Sequence, residues 1–473
     1  MVTKIGQLSQ ELARTNPWWR GPDWQARDPD LRRAEMSELS YESPALCDLP
    51  VGNVYVLRGP RRVGKTVAVK QRIARLIADG VEPRAIVRVA ADGWDDSDIR
   101  NLPQTPRLPR LADGTRRWWF IDEASAVKGD WAAQVKWLRD NDPEFSLDTV
   151  VLSGSDAPAL TEAIGRLSGR RGRNDDLART MLPIGFRTFV TLTEFDVPSV
   201  DAIALDDVHS PRAREAIDAL LPWLDMLVHA WETYLEYGGF PVSVSAAKRG
   251  DALPTDFAND LFDVVFRDAF AASNLSESKT AALYSRVVEG MGNPVNITSI
   301  ANDLGIPFHT VVRHTEYLKD TFLSWTCSRR AENTWLALEG AQEKIYASDP
   351  LLARLMHVRN QHRPDVDPTI LAEMQIGMAI RRRQVAAGAT WTGEDRLFYW
   401  RTPTRKEIDF VSEDLGGAAV EGKYTEQRWR QESATVNASQ WRGVLATRNV
   451  LDTDSRDKAW AVPAALLAYI IDT

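Results

Sequence analysis

Three groups of residues have the types and spacing for chemistry. The first is GPRRVGKT, Gly59 to Thr66. Two glycines allow a tight loop whose backbone N–H groups turn inward around clustered phosphate oxygens, and a following helix aims its positive end at the same place. In that arrangement Gly59, Pro60, Arg61, Arg62, Val63, Gly64, Lys65, Thr66 and Val67 would surround a nucleotide triphosphate. Lys65 would reach the β- and γ-phosphates, and the Thr66 hydroxyl would ligate Mg²⁺. The second group is Asp122 and Glu123, at the end of WWFIDE. Asp122 would hold the magnesium shell and Glu123 would orient and deprotonate the attacking water; the plainer alternative is that both acids cap a helix starting near Ser125. Ser153 and Ser155, ending VVLSGS, stand where a sensor of the γ-phosphate would sit.

The third group lies far downstream. Glu373 falls in the helical stretch LLAEMQIGMAIRRRQ, Asp409 on one arm of a strand hairpin, and Glu421 and Lys423 at i and i+2 on the other arm, so both project from one face. Carboxylates so placed can hold one or two Mg²⁺ or Mn²⁺ ions against a scissile phosphate while the lysine polarises the attacking water, as a PD-(D/E)xK nuclease requires. Hairpins carry acids and lysines routinely, so a domain that binds without cutting stays open. Arg381, Arg382, Arg383, Arg401, Arg405 and Lys406 would supply a basic rim suited to a phosphodiester.

These groups need elements to position them. From Val51 to Thr191, the runs NVYVLR, AIVRVAA, RRWWFID and DTVVLSGS alternate with helical stretches, the pattern of a parallel sheet. Val69, Ile73, Leu76 and Ile77 recur at helical spacing after the glycine loop. The polar loop GRLSGRRGRNDDLAR offers Arg170, and next Arg173, to the γ-phosphate of a neighbouring subunit, unless its arginines are simply solvated. Residues 1–50 form a Trp-rich arm whose Trp18, Trp19 and Trp24 should be buried against a neighbouring surface. Residues 192–285 read as a helical lid or linker. Residues 286–340 read as a winged helix-turn-helix: VNITSIANDLGI and PFHTVVRHTEYLKDTFL supply the helices, LSWTCSRR and TWLALEG the wing, and Thr310, Arg313 and His314 an outward face. Residues 341–473 form the last domain, closing on a strand and helix in AWAVPAALLAYIIDT.

A chain of 473 residues should hold more than one domain, and 44% hydrophobic with 26% charged residues is the balance of a globular protein. The net charge of −8 argues against indiscriminate coating of nucleic acid. No apolar stretch would span a membrane, and the N-terminus lacks a signal peptide's apolar core, so the expected location is the cytoplasm. Cys47 and Cys327 lack metal-ligand spacing and read as buried free thiols.

The order NPWW, GPRRVGKT, WWFIDEAS, LSGS, SGRRGR, LPIGFRTFV and YLEYGGFPVSV resembles the prokaryotic AAA-type ATPases that carry a restriction-endonuclease-like C-terminal domain of unknown function. The sequence departs from that pattern at Gly185 and Thr188, where Ser and Glu are usual, in positions read as structural. The resemblance implies an α/β chain with a P-loop parallel-sheet ATPase domain, a helical lid and winged-helix middle, and a C-terminal α/β restriction-endonuclease-like domain. ATP and Mg²⁺ are the expected cofactors, with a second Mg²⁺ or Mn²⁺ site in the last domain. The expected partners are nucleic acid, DNA ahead of RNA, and further copies of the chain. The alternative is an ATP-gated switch whose last domain binds a protein.

Overall fold

Apolar runs of five residues, each bounded by turn or polar segments, become the strands of the first sheet: β1 (Val54–Arg58), β2 (Ile86–Ala90), β3 (Trp118–Asp122) and β4 (Thr149–Ser153), joined by the shorter β5 (Ala178–Thr180). The computed structural model describes residues 11–106, 108–154, 157–167, 178–273, 276–392, 395–402, 406–454 and 456–473. The chain divides into two units, one ending at Leu182 and the other beginning at Pro183.

In the first unit the strand order is β2-β3-β4-β1-β5 and every pairing is parallel. Alternate residues go to alternate faces, and both faces are buried, which is why the strands read as continuous apolar runs. Val54, Val56, Val87, Val89, Trp119 and Ile121 pack on one side. Tyr55, Leu57, Ile86, Trp118 and Phe120 pack on the other, against Ala68, Val69, Ile73 and Leu76 of the helix Lys65–Ala78. β2 is an edge strand, and the arm covers its free backbone. The Asn16 side chain accepts from Arg88 N–H and donates to Arg88 C=O, while the Trp18 and Trp19 indoles both donate to Ile86 C=O. Trp18 and Trp24 are buried and Trp19 half-buried, as expected.

The second unit contains a mixed seven-stranded sheet. Its strands are β6 (Ser324–Arg329), β7 (Lys344–Ala347), β8 (Phe398–Arg401), β9 (Glu407–Val411), β10 (Ala418–Gly422), β11 (Arg442–Thr447) and β12 (Ala459–Pro463), in the order β12-β11-β10-β9-β8-β6-β7. β9 and β10 form the expected antiparallel hairpin, with Phe410 opposite Val420. AWAVPAALLAYIIDT becomes β12 and the helix Ala464–Ile471. The helix Pro368–Ala386 is buried on nearly all sides and lies so close to β10 that a Cβ at Gly422 would come within 2.8 Å of Glu373 Cα. Among the described residues, no helix is long and apolar enough to cross a membrane.

Several expectations are corrected. The two helices of the helix-turn-helix form at Ile297–Leu304 and Phe308–Asp320, with Gly305 left-handed between them. TWLALEG, however, makes only an isolated bridge between Ala337 and Arg330, and LSWTCSRR becomes β6, paired with β7 and β8 instead of a wing partner. Thr310 and His314 are buried, because they share a stripe with Val311 and Leu318; Arg313 alone of the three is exposed. Arg381 and Arg382 are buried as well. Arg381 donates to Trp391 C=O, Arg382 forms a two-point pair with Asp472, and half-buried Arg383 donates to Ile203 C=O, so these three are structural and make no basic rim. Arg401 pairs with Glu407, and Arg405 lies outside the described residues. Cys327 is buried but Cys47 is exposed. Gly185 is structural in the expected sense, since a Cβ there would meet the Asp472 carboxylate at 2.8 Å.

Candidate functional site

The phosphate loop bridges β1 and the helix Lys65–Ala78. It turns through three left-handed residues, Gly59 at φ 151°, Arg62 at φ 66° and Gly64 at φ 99°. Gly59 could not be anything larger, because a Cβ would lie 2.1 Å from the Met181 carbonyl oxygen. Gly64 begins the helix and brings no side-chain cap, so no side chain from this position covers the helix's first N–H groups. Arg61 and Arg62 are exposed, Pro60 and Val63 buried, Thr66 and Val67 half-buried. The Lys65 ammonium is buried and donates to Gly59 C=O at 2.8 Å and Pro60 C=O at 2.9 Å. Burial pulls its pKa down to about 8, against the opposing pull of the Glu123 and Asp122 charges. A buried ammonium whose hydrogen bonds among the described residues go to carbonyls fits an anion such as a phosphate.

β3 delivers Asp122 on the face that carries Phe120 and Trp118, the same face as the helix Lys65–Ala78. Both of its oxygens are held: Ser153 donates to Oδ1 at 2.6 Å, and Arg88 Nη2 to Oδ2 at 2.6 Å. Ser153 thus supports Asp122. Glu123 follows in the left-handed region, at φ 54° and ψ 38°, and its side chain does not cap the short helix Ala124–Ala126, contrary to the plainer alternative. Strain of this kind at a non-glycine residue is typical of functional positions. Arg166 pairs with Asp130 and Glu162 on the exposed surface. Ser155, Arg170 and Arg173 lie outside the described residues. Arg88 was not legible as a site residue, although a lone arginine inside the apolar strand AIVRVA was a signal that a buried acid must meet it.

The second unit brings Glu373, Asp409, Glu421 and Lys423 together. Lys423 Nζ lies 2.9 Å from Glu421 Oε1 and 3.7 Å from Asp409 Oδ2, and Gly422 N–H donates to the same Asp409 oxygen at 3.1 Å. A residue with no signal in the sequence pattern lies among them. Lys344, on β7 and fully buried, places its ammonium 2.6 Å from Glu407, 2.9 Å from Asp409 Oδ1 and 3.4 Å from Glu373. The Tyr346 hydroxyl donates to the same Glu373 oxygen at 2.5 Å. Burial opposes the Lys344 charge, but Asp409 and the other groups around it outweigh that and hold the ammonium well above its usual range. Asp409 is buried too, yet Lys344 and Lys423 keep it below the ordinary carboxylate range. Burial, reinforced by the Asp409 charge, pushes both Glu373 and Glu421 up to about 7. Among the described residues, no three acid, imidazole or thiol groups converge closely enough to cage a metal ion.

A five-stranded parallel sheet whose first strand runs through a glycine loop into a lysine-headed helix, with an acid at the end of an inner strand, defines a P-loop domain. Residues 51–190 match the AAA domain family, so this part of the chain is an AAA-type P-loop domain. Residues 228–362 match a domain of unknown function, DUF8612. No curated protein matches the chain. Solved structures that resemble it include a Walker-type ATPase of Pyrococcus abyssi, at 14% identity over 70% of this chain and 95% of that one, with a TM-score of 0.35. The ORC2 protein of Aeropyrum pernix in ADPNP–ADP complexes gives 13%, 76%, 93% and 0.33. A RuvB mutant of Thermotoga maritima gives 14%, 61%, 85% and 0.26. Likenesses at such low scores carry no weight for this chain's activity.

Proposed function

We propose that the chain binds and hydrolyses ATP and couples that turnover to binding or processing nucleic acid, with the acid–lysine cluster of the second unit as a metal-dependent nuclease centre. The observation that carries the ATP reading is the buried Lys65 ammonium at the head of an uncapped helix, with carbonyl partners and, among the described residues, no carboxylate partner. Thr66 and Asp122 are the residues that would hold Mg²⁺. Because Ser153 and Arg88 already engage both Asp122 oxygens, Asp122 would act through the ion's water shell. Bound magnesium would supply charge neutralisation on the phosphates. Lys65 stabilises the charge that develops on the transferred phosphoryl group, and Glu123, on its strained backbone, aligns the attacking water and takes its proton.

The nuclease reading rests on the convergence of Glu373, Asp409, Glu421 and Lys423. Asp409 and Glu421 would hold the metal, and Lys423, the most exposed of the four, would meet the incoming phosphodiester. A second reading, an ATP-gated switch that binds a basic protein segment, is favoured by a cleft of about 700 Å³ lined by Glu232, Glu236, Asp365, Asp367 and Glu426, with Arg354 and Arg448 as its only opposing charges among the described lining residues. Assays of Mn²⁺-dependent DNA cleavage and DNA-stimulated ATP hydrolysis decide between them, comparing the wild type with Asp409→Ala and Lys423→Ala. Cleavage lost in both variants supports the first reading. Wild-type protein that neither cuts DNA nor responds to it in ATP turnover removes it.

A further inference from the structure

The Trp-rich arm grips two elements of the first unit's candidate site, and the first grip is on β2. Asn16 has no exposed surface. Its Oδ1 accepts from Arg88 N–H at 2.6 Å, and its Nδ2 donates to Arg88 C=O at 2.8 Å and to Leu12 C=O at 2.9 Å. The Thr15 hydroxyl donates to the same Arg88 oxygen at 3.2 Å. One side-chain amide thus takes both backbone groups that the edge strand turns outward at Arg88, as a further strand would. Arg88 is also the residue whose side chain holds Asp122. β2 pairs with β3 so that Ala90 stands opposite Asp122, and Arg88, two residues earlier on the same face, crosses to Asp122 Oδ2 at 2.6 Å.

The second grip is on the helix Lys65–Ala78. Lys70 follows Thr66 by one helical turn, about 6 Å along a stiff rod. Its buried ammonium lies 2.7 Å from Asp28 Oδ2 and 2.7 Å from Asp30 Oδ2, and the neighbouring Gln71 side chain donates to Tyr41 C=O at 2.9 Å. Between the two grips, Trp18 and Trp24 meet edge-on at 5.0 Å and pack in the same core as Ala68, Val69 and Ile73 of that helix. Apolar contacts would stabilise these junctions as well or better; what a hydrogen-bonded amide and an ion pair add is a fixed position.

We propose that the arm is a strap that sets Asp122 against the phosphate loop, with Asn16 as a positioning residue for the magnesium side of the site. Asn16 fixes the Arg88 backbone, and Arg88 fixes the carboxylate that would face the ion's water shell. The strap rests on the ATP reading above. Loss of the Asn16 amide should therefore weaken the contribution of Mg²⁺, whereas Lys65 and the loop after β1 would still hold the phosphates.

The test uses the full chain and a fluorescent, non-hydrolysable ATP analogue, titrated once in EDTA and once in saturating Mg²⁺. The ratio of the two affinities is the gain that the ion supplies. In Asn16→Ala that gain should fall by about three- to tenfold, while the affinity in EDTA stays within about twofold of the wild type. A residue that only holds the fold together would lower both affinities alike. If Asn16→Ala does not fold, Asn16→Asp decides by the same comparison: it keeps the shape and the acceptor for Arg88 N–H but sets an oxygen against Arg88 C=O. Lys70→Gln, at the other grip, should weaken binding in EDTA, because it frees the helix that carries Lys65. An unchanged gain in the Asn16 variant, equal losses with and without the ion, a wild type indifferent to Mg²⁺, or a Lys70→Gln that binds as the wild type does overturns the strap and leaves ATP binding standing. A wild type that binds the analogue under neither condition ends the ATP reading and the strap with it.

Discussion

Arg88 and Asp122, on neighbouring strands of the first sheet, form a buried ion pair 2.6 Å long. The guanidinium fixes one carboxylate oxygen and Ser153 the other, so the acid assigned to the proposed ATP site is held by the protein's own side chains. Removing the arginine leaves a buried carboxylate without its counter-charge. Arg88→Met should therefore destabilise the first unit by about 3–5 kcal/mol, and Arg88→Lys by less, in urea-induced unfolding followed by tryptophan fluorescence. Equal stability of Arg88→Met and the wild type would show that the pair contributes nothing.

Gly59→Ala should damage the phosphate loop more than its size suggests. The new Cβ would meet a backbone oxygen, Met181 C=O, at 2.1 Å, and backbone cannot rotate away as a side chain can. Its φ of 151° adds strain of about 1 kcal/mol or more. A fluorescent ATP analogue titrated into the variant should bind at least about tenfold more weakly than into the wild type.

The buried His314 should make the second unit sensitive to acid. Burial pushes its pKa down to about 4, and neither ring nitrogen has a hydrogen-bond partner among the described residues. The unfolded chain takes up a proton near pH 6.5 and the folded one does not until about pH 4, so stability is full above 6.5 and falls as the pH drops through that window. At pH 5 the loss from this one group should be about 2 kcal/mol. His314→Leu should melt with a smaller difference between pH 7 and pH 5 than the wild type.

Asp472→Ala should be among the most damaging single changes in the second unit. The Asp472 carboxylate is fully buried, pairs at two points with Arg382 and accepts from Phe186 N–H. Its loss strands a buried guanidinium, at a cost of about 3–5 kcal/mol. A melting curve indistinguishable from the wild type would contradict the assignment of Arg382 as structural.

What could be read in the sequence was what local geometry dictates. GPRRVGKT after VYVLR specifies its loop by glycine placement and spacing alone, and Glu421 and Lys423 were legible as a pair two residues apart, although β10 ends at Gly422 and Lys423 lies one residue beyond it. What could not be read depends on register between distant strands. Arg88 meets Asp122 across 34 positions, and Lys344 meets Asp409 across 65, so neither partner emerges from local pattern. The outward face assigned to Thr310 and His314 is a different kind of miss. Val311, His314 and Leu318 keep helical spacing, and the buried stripe was present in the sequence, but the polar names hid it. Arg381 and Arg382 were misread for a similar reason: a helix buried on nearly all sides has no solvated face to give them, and each found a buried partner.

The most direct test of the account is magnesium-dependent ATP binding and phosphate release by the wild type, Lys65→Ala and Glu123→Gln. The wild type should bind and turn over ATP, Lys65→Ala should lose turnover, and Glu123→Gln should retain binding while hydrolysis falls by at least about a hundredfold. A wild-type chain with no affinity for ATP, or a Lys65→Ala variant that hydrolyses it at the wild-type rate, would contradict the assignment of this site.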